Sequence, residues 1–143
     1  MPVHGIGIDI LHVPRLVALI KRRGLSKLPS RILSPVELDA FRALTSQPGN
    51  GGGTSTANER GLDSIVRFLG VRWAVKEAVY KALYPLRPTW KELTYTSFDV
   101  KNGLKPALVY TTSLGPDATP ARLHVSASHD GEYIVASVLA ESG

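Results

Sequence analysis

The stretch that most constrains this chain runs from Asp63 to about Tyr84, where Phe68, Leu69, Val75, Val79, Ala82 and Leu83 recur with helical spacing. Asp63 supplies a capping carboxylate, and Pro85 and Pro88 end the pattern. The segment therefore reads as one long central helix. On another face Trp73, Glu77 and Lys81 fall four apart with Arg72 and Lys76 alongside, a basic stripe around one carboxylate.

Upstream, Val3-His4-Gly5-Ile6-Gly7-Ile8-Asp9-Ile10 alternates isoleucine with glycine and aspartate. Period two makes it a strand, with the isoleucines expected on the core face and Asp9 opposite, beside the open room that Gly5 and Gly7 leave for a ligand. Pro14 can open a helix to about Arg23, apolar through Leu16, Val17, Leu19 and Ile20 and basic through Arg15, Lys21, Arg22 and Arg23, with Gly24 as its stop. Ser34, Pro35 and Glu37 have capping-box spacing for a further helix through Leu38, Phe41 and Leu44. Residues 46–61, rich in Gly, Ser, Thr, Asn and Pro, read as a flexible Gly-rich loop, and they lack the Gly-Lys-Ser/Thr that a P-loop requires. Strands are expected near Tyr95–Val100, Ala107–Thr111, Leu123–Ser128 and Tyr133–Ala140, with turns at Asn102-Gly103 and Asp130-Gly131. One N-terminal strand, three helices and a C-terminal antiparallel meander make an α+β fold, expected as a single domain over 1–143.

Composition narrows the chemistry. The absence of cysteine excludes disulfides, thiolate-ligated metals and a thiol nucleophile, so any metal must sit on oxygen or imidazole. Seventeen Lys and Arg against twelve Asp and Glu, a net charge of +5, favour an anionic partner: nucleic acid, a phosphorylated metabolite or an acidic protein. Hydrophobic residues at 43% and charged residues at 20% describe a globular chain. No apolar run approaches the ~20 residues of a membrane span, and the chain opens almost directly on a strand pattern, so an intracellular place without membrane contact is expected unless a leader has been removed.

Taken singly, the candidate residues have plain explanations. Asp9 could cap a turn, Glu77 and Lys81 could be a solvated pair worth ~0.2–0.5 kcal/mol, His129 could decorate a hairpin, and His124 could be packed between Leu123 and Val125. Together they say more. Asp9 and Glu77 are hard oxygen ligands of the kind that hold Mg²⁺ when water and phosphate oxygens complete its octahedron, and Lys81, one turn on, is placed to reach a phosphate with Arg72 and Lys76 adding charge.

Three stretches carry a resemblance: Gly5-Ile6-Gly7-Ile8-Asp9-Ile10 with Arg15; Arg72-Trp73-Ala74-Val75-Lys76-Glu77-Ala78-Val79-Tyr80-Lys81-Ala82; and His124-Val125-Ser126-Ala127-Ser128-His129. They resemble, in order and separation, the signature stretches of the holo-acyl-carrier-protein synthase type of phosphopantetheinyl transferase, and Arg31 to Leu38 resembles its second-helix segment. The resemblance implies attack of a carrier-protein serine on the β-phosphate of coenzyme A, releasing adenosine 3′,5′-bisphosphate, with Mg²⁺ or Mn²⁺ as the metal. It implies Asp9 and Glu77 as metal ligands and Lys81 as the lysine beside the phosphates. It assigns the general base to no residue, leaving a metal-bound water or a carboxylate near Asp9.

The same resemblance implies coenzyme A contacts from Arg72, Lys76, Lys81, the turn Asn102-Gly103-Leu104-Lys105-Pro106, and Ser128-His129, and docking of an acidic acyl carrier protein on Arg15, Arg22 and Arg23. It also implies a homotrimer with active sites between subunits. Two departures stand out: Leu83-Tyr84-Pro85-Leu86-Arg87-Pro88-Thr89-Trp90 replaces the family's Gly-Thr-Gly-like turn, and the Gly-rich insertion is long. Both resemble fungal members, which serve a mitochondrial carrier protein, whereas bacterial relatives are cytosolic. A basic nucleic-acid-binding module is the competing class. Aromatic residues at 7%, unclustered on any expected strand, argue against it.

Overall fold

The computed structural model describes residues 2–46, 55–112 and 121–142. Among these the element order is β1 (Val3–His12), α1 (Val13–Arg23), α2 (Lys27–Ile32), α3 (Pro35–Thr45), α4 (Ser55–Leu83), a 3₁₀ turn (Trp90–Glu92), β2 (Leu93–Thr96), β3 (Ala107–Tyr110), β4 (Ala121–Asp130) and β5 (Tyr133–Ser142). The fold is α+β, with an N-terminal strand, helices that include one long central member, and C-terminal antiparallel strands. No helix among the described residues is long and apolar enough to cross a membrane.

Two helical expectations need correction. A short helix, α2, stands between the two anticipated ahead of α4. The long helix also begins at Ser55, eight residues before the expected Asp63 cap, so the C-terminal part of the expected 46–61 loop is helical, while 47–54 lie outside the described residues. Ser-Thr-Ala-Asn-Glu-Arg has no apolar periodicity but contains no helix breaker, so an established helix extends through it at little cost.

The antiparallel C-terminal strands divide between two sheets. β2 pairs with β3, and the other sheet has the order β1-β5-β4, which carries the N-terminal strand to the C-terminal hairpin. The β4–β5 turn is Gly131-Glu132, one residue beyond the Asp130-Gly131 expected, with positive φ at Gly131 alone.

The face of β1 is the reverse of the expected one. Ile6, Ile8 and Ile10 are 66, 61 and 64% exposed, whereas Gly7 and Leu11 are buried and Gly5 and Asp9 half-buried. The glycines do not leave open room: α4 fills it. A Cβ on Gly7 would lie 1.8 Å from the carbonyl oxygen of Ala78, and one on Gly5 2.2 Å from that of Ala82. Helix backbone thus lies directly on strand backbone, a contact that only glycine permits. The core forms on the same side, where Leu69, Ala74, Val75, Ala78 and Val79 of α4 meet Ala136, Val138 and Ala140 of β5.

Candidate active site

The close strand–helix contact positions the first group. Asp9 leaves β1 beside the last turns of α4, and Lys81 donates to its Oδ1 at 3.2 Å and to the Ile8 carbonyl at 2.8 Å. Glu77, one turn before Lys81, shares a cavity of about 450 Å³ with Asp9, Arg15, Arg22 and Trp73, floored by Leu16 and Leu19. Burial pushes the Glu77 carboxyl above its ordinary range, the negative charge of Asp9 adds to that, and Lys81 opposes it. Two carboxylates, of which Asp9 raises the cost of ionising Glu77, with the Lys81 ammonium bonded to Asp9, form a site that a cation would complete.

The donor set fits a hard divalent ion of the magnesium type. No group of three or more His, Asp or Glu side chains that could hold a metal occurs among the described residues, so the chain supplies two carboxylates and leaves other positions to water or to ligand oxygens.

The basic stripe on α4 splits in two. Trp73 and Glu77 face the cavity, but Lys76 does not line it and is fully buried in the interior. Its ammonium donates to the Glu37 carboxylate, to the Ile32 carbonyl at 2.7 Å and to the Trp90 carbonyl at 2.9 Å. An ammonium has three donors, so none is left for a phosphate. This corrects the expectation that Lys76 reaches coenzyme A. Arg72 is also buried, stacked 3.4 Å over the Phe68 ring and paired with Glu37 at 3.5 Å, while its NH1 donates to the Phe68 carbonyl. Burial holds both cations below their ordinary pKa, with Glu37 countering it.

Arg72 nonetheless borders a second cavity, of about 630 Å³, with Arg67, Tyr95, Phe98, Ser128 and His129. The α4 residues here (64, 67, 68, 71 and 72) lie on the flank of the helix opposite Trp73 and Glu77. Lys105 and Pro106 border a third recess, of about 450 Å³, with Arg122 and His124. Asn102 is folded back on its own turn, its backbone N–H and side-chain amide donating to Asp99 at 3.1 and 2.6 Å, and Gly103 holds φ +66°. Arg22 and Arg23 also flank a basic recess with Lys27 and Arg31.

Sequence reasoning took Glu37 only as a helix cap. It does complete the capping box with Ser34, and it also accepts from the Tyr95 N–H at 2.9 Å and receives Lys76 and Arg72. The available signal was an acidic residue flanked by buried-type apolar residues in a chain with an excess of cations.

A family model described as the 4′-phosphopantetheinyl transferase superfamily matches residues 5–138. The chain belongs to the 4′-phosphopantetheinyl transferase superfamily. It is 35% identical to the "4′-phosphopantetheinyl transferase B, mitochondrial" of Aspergillus fumigatus, over 95% of this chain and 92% of that protein. The solved holo-[acyl-carrier-protein] synthase of Neisseria meningitidis superposes with TM-score 0.70 at 27% identity, covering 98% of this chain and 99% of that one. The Bacillus anthracis holo-(acyl-carrier-protein) synthase, solved in complex with coenzyme A (3′,5′-ADP), superposes with TM-score 0.66 at 25% identity, covering both chains fully. The chain is accordingly an enzyme, a transferase of the holo-acyl-carrier-protein synthase type.

Proposed function

We propose that this phosphopantetheinyl transferase moves the 4′-phosphopantetheine of coenzyme A onto a serine of an apo acyl carrier protein in a Mg²⁺-dependent reaction, giving the holo-carrier protein and adenosine 3′,5′-bisphosphate. The observation that carries the reading is that Asp9 of β1 and Glu77 of α4 line one cavity while Lys81, one turn past Glu77, bonds to Asp9. The coenzyme A in the Bacillus anthracis relative supports the substrate.

The bond that forms joins the serine oxygen to the β-phosphorus, and the bond that breaks joins that phosphorus to the bridging oxygen, which leaves with the adenosine bisphosphate. Asp9 and Glu77 would hold the Mg²⁺, with Mn²⁺ a substitute of like chemistry. When bound, that ion supplies charge neutralisation to the pyrophosphate oxygens. Lys81, half-exposed and one turn from Glu77, exchanges its bond to Asp9 for a phosphate oxygen and stabilises the leaving group. Arg15 and Arg22 on the α1 wall, with Arg23 beyond it, attract the acidic carrier protein to the mouth of the cavity.

Two observations support a homotrimer with active sites between subunits. Cavities bearing the metal-type carboxylates and the proposed nucleotide contacts (Arg72, Ser128 and His129) lie on opposite flanks of α4, so one coenzyme is better served by two adjacent chains. The exposed Ile6, Ile8 and Ile10, in register with Leu139, Ser137 and Val135 of β5, form an apolar sheet face of the kind that subunit contacts cover. Lys105, Pro106, Asn102 and Gly103 would then meet the nucleotide from a neighbouring chain. By likeness to the Aspergillus relative the enzyme is mitochondrial if it is fungal, and otherwise cytoplasmic.

Intact-mass spectrometry of an apo acyl carrier protein incubated with the enzyme, coenzyme A and Mg²⁺ tests the reaction. One added phosphopantetheine, lost on chelation and in Asp9→Ala and Glu77→Ala, is the expected result. No mass gain with several carrier proteins and folded enzyme would overturn it.

A further inference from the structure

Glu77 can share an ion with Asp9 only if α4 is set at the right angle about its own axis. The neighbouring Lys76 is one anchor of that setting, beside the glycine contact with β1 and the Lys81 clip. In a helix the two side chains leave the axis about 100° apart, so holding one fixes the direction of the other. Lys76 is held at three points that belong to three different segments: the end of α2 at Ile32, the 3₁₀ turn at Trp90 and the first turn of α3 at Glu37. The ring of Trp90 also packs edge-on against Trp73, centroids 5.1 Å apart, and Trp73 lies one turn before Glu77 on the cavity face. The same short turn therefore grips α4 at two positions one turn apart on the same side of the helix.

Glu37 supplies the only carboxylate in this cluster among the described residues, and it is itself fixed. One oxygen receives the Ser34 N–H at 2.9 Å and the other receives the Tyr95 N–H at 2.9 Å, tying it to the start of α3 and to β2. Thr94 donates to Ser34 at 2.8 Å and braces the cap. Glu37 does not line the cavity that holds Asp9 and Glu77.

We propose that Glu37 is a positioning residue for transfer: through Lys76 it fixes the angular setting of α4 and so aims Glu77 at the metal position beside Asp9. The inference rests on the proposed function, because it takes Glu77 as a metal ligand. Glu37→Gln keeps the shape but turns one of the two accepting oxygens into an amide nitrogen, which cannot receive a backbone N–H, and it leaves Lys76 and Arg72 buried without a counter-charge. The helix then relaxes to bring the ammonium toward water, and Glu77 turns with it.

The experiment measures three quantities on the full chain, each below the melting transition of the variant. They are Mn²⁺ binding to the protein alone by electron paramagnetic resonance, the Mg²⁺ concentration for half-maximal transfer beside the coenzyme A KM, and the near-ultraviolet circular dichroism of the Trp73–Trp90 pair. For Glu37→Gln the expected result is Mn²⁺ binding weakened about tenfold or more, a matching rise in the Mg²⁺ requirement, a coenzyme A KM within about twofold of the parent, and an altered tryptophan signal. Glu37→Asp, which keeps the charge, recovers part of each, and takes the place of Glu37→Gln if that variant does not fold. A lowered melting temperature with Mn²⁺ binding, Mg²⁺ requirement and tryptophan signal all unchanged would show a purely structural role and overturn the inference. If the parent neither binds Mn²⁺ nor transfers, the functional reading fails instead, and the tryptophan signal alone then decides whether Glu37 sets the helix.

Discussion

The ammonium of Lys81 lies 3.2 Å from the Asp9 carboxylate and 2.8 Å from the Ile8 carbonyl, so one side chain clips the last full turn of α4 to β1. The clip closes across the two glycines, where the backbones already touch. Asp9 thus presents to the cavity a carboxylate with one oxygen engaged and the other available.

Lys81→Met should separate chemistry from stability. The pair is half-exposed on the lysine side, so its loss should change stability by no more than about 1 kcal/mol. Transfer should fall at least about a hundredfold if this ammonium meets the leaving phosphate. Thermal melts beside initial rates measure both, and an unaltered rate would remove Lys81 from the reaction.

Two glycine-to-alanine substitutions should differ sharply. At Gly7 the added Cβ meets helix backbone, which cannot step aside, and the cost should be about 3 kcal/mol. At Gly70 the nearest atom is the Cδ1 of Ile134, 2.7 Å away at the tip of a flexible side chain, and alanine gains about 1 kcal/mol of helix propensity. Denaturant unfolding should rank Gly7→Ala far below Gly70→Ala, and equal midpoints would contradict the backbone contact.

The Asp99–Asn102 turn should contribute acid-sensitive stability. Hydrogen bonds from Asn102, side chain first and then backbone, hold the Asp99 carboxyl below its ordinary range. With the folded pKa below the unfolded one, the stabilisation is present above the unfolded carboxylate pKa and is lost as pH falls through the folded value. Asn102→Ala should flatten this part of the curve of melting temperature against pH, an effect absent if the turn is solvated.

Ile8→Lys tests the outer sheet face. The side chain is 61% exposed within one chain, so the substitution should leave the secondary structure intact. It should shift sedimentation from trimer to monomer and abolish transfer together, whereas an active monomer would dismiss assembly as a requirement.

Much of this was legible in the residues themselves. The long helix, the Ser34–Glu37 cap and the presence of C-terminal strands follow from periodicity and motif spacing, which are local properties, whereas the grouping of Asp9 with Glu77 and Lys81 rests on their ligand chemistry and on the family resemblance. What was not legible depends on contacts between distant segments. Alternation along β1 correctly separates Ile6, Ile8 and Ile10 from Gly5, Gly7 and Asp9, but it cannot say which set faces inward. Hydrophobicity chose the isoleucines, whereas the close approach of α4 selected the glycines. Arg72 and Lys76 read as part of a basic stripe around Glu77 that adds charge toward a phosphate, because the carboxylate they actually pair with is distant in sequence. Their counter-charge, Glu37, lies 39 residues before Lys76.

The bare backbone contact at Gly5 and Gly7 also settles how the cavity can adapt. With no side chain between β1 and α4, there is no rotamer to change and no gap to close, so the wall that bears Asp9 and the wall that bears Glu77 behave as one stiff piece. The opposite wall, α1, is anchored inward by Leu16 and Ile20 and carries Arg15 and Arg22 on its cavity side. Compliance is therefore concentrated in the basic helix: adjustment to the shape of an arriving protein falls to α1, while the backbones that carry the two carboxylates move together as long as the buried Lys76 anchor holds α4 in place.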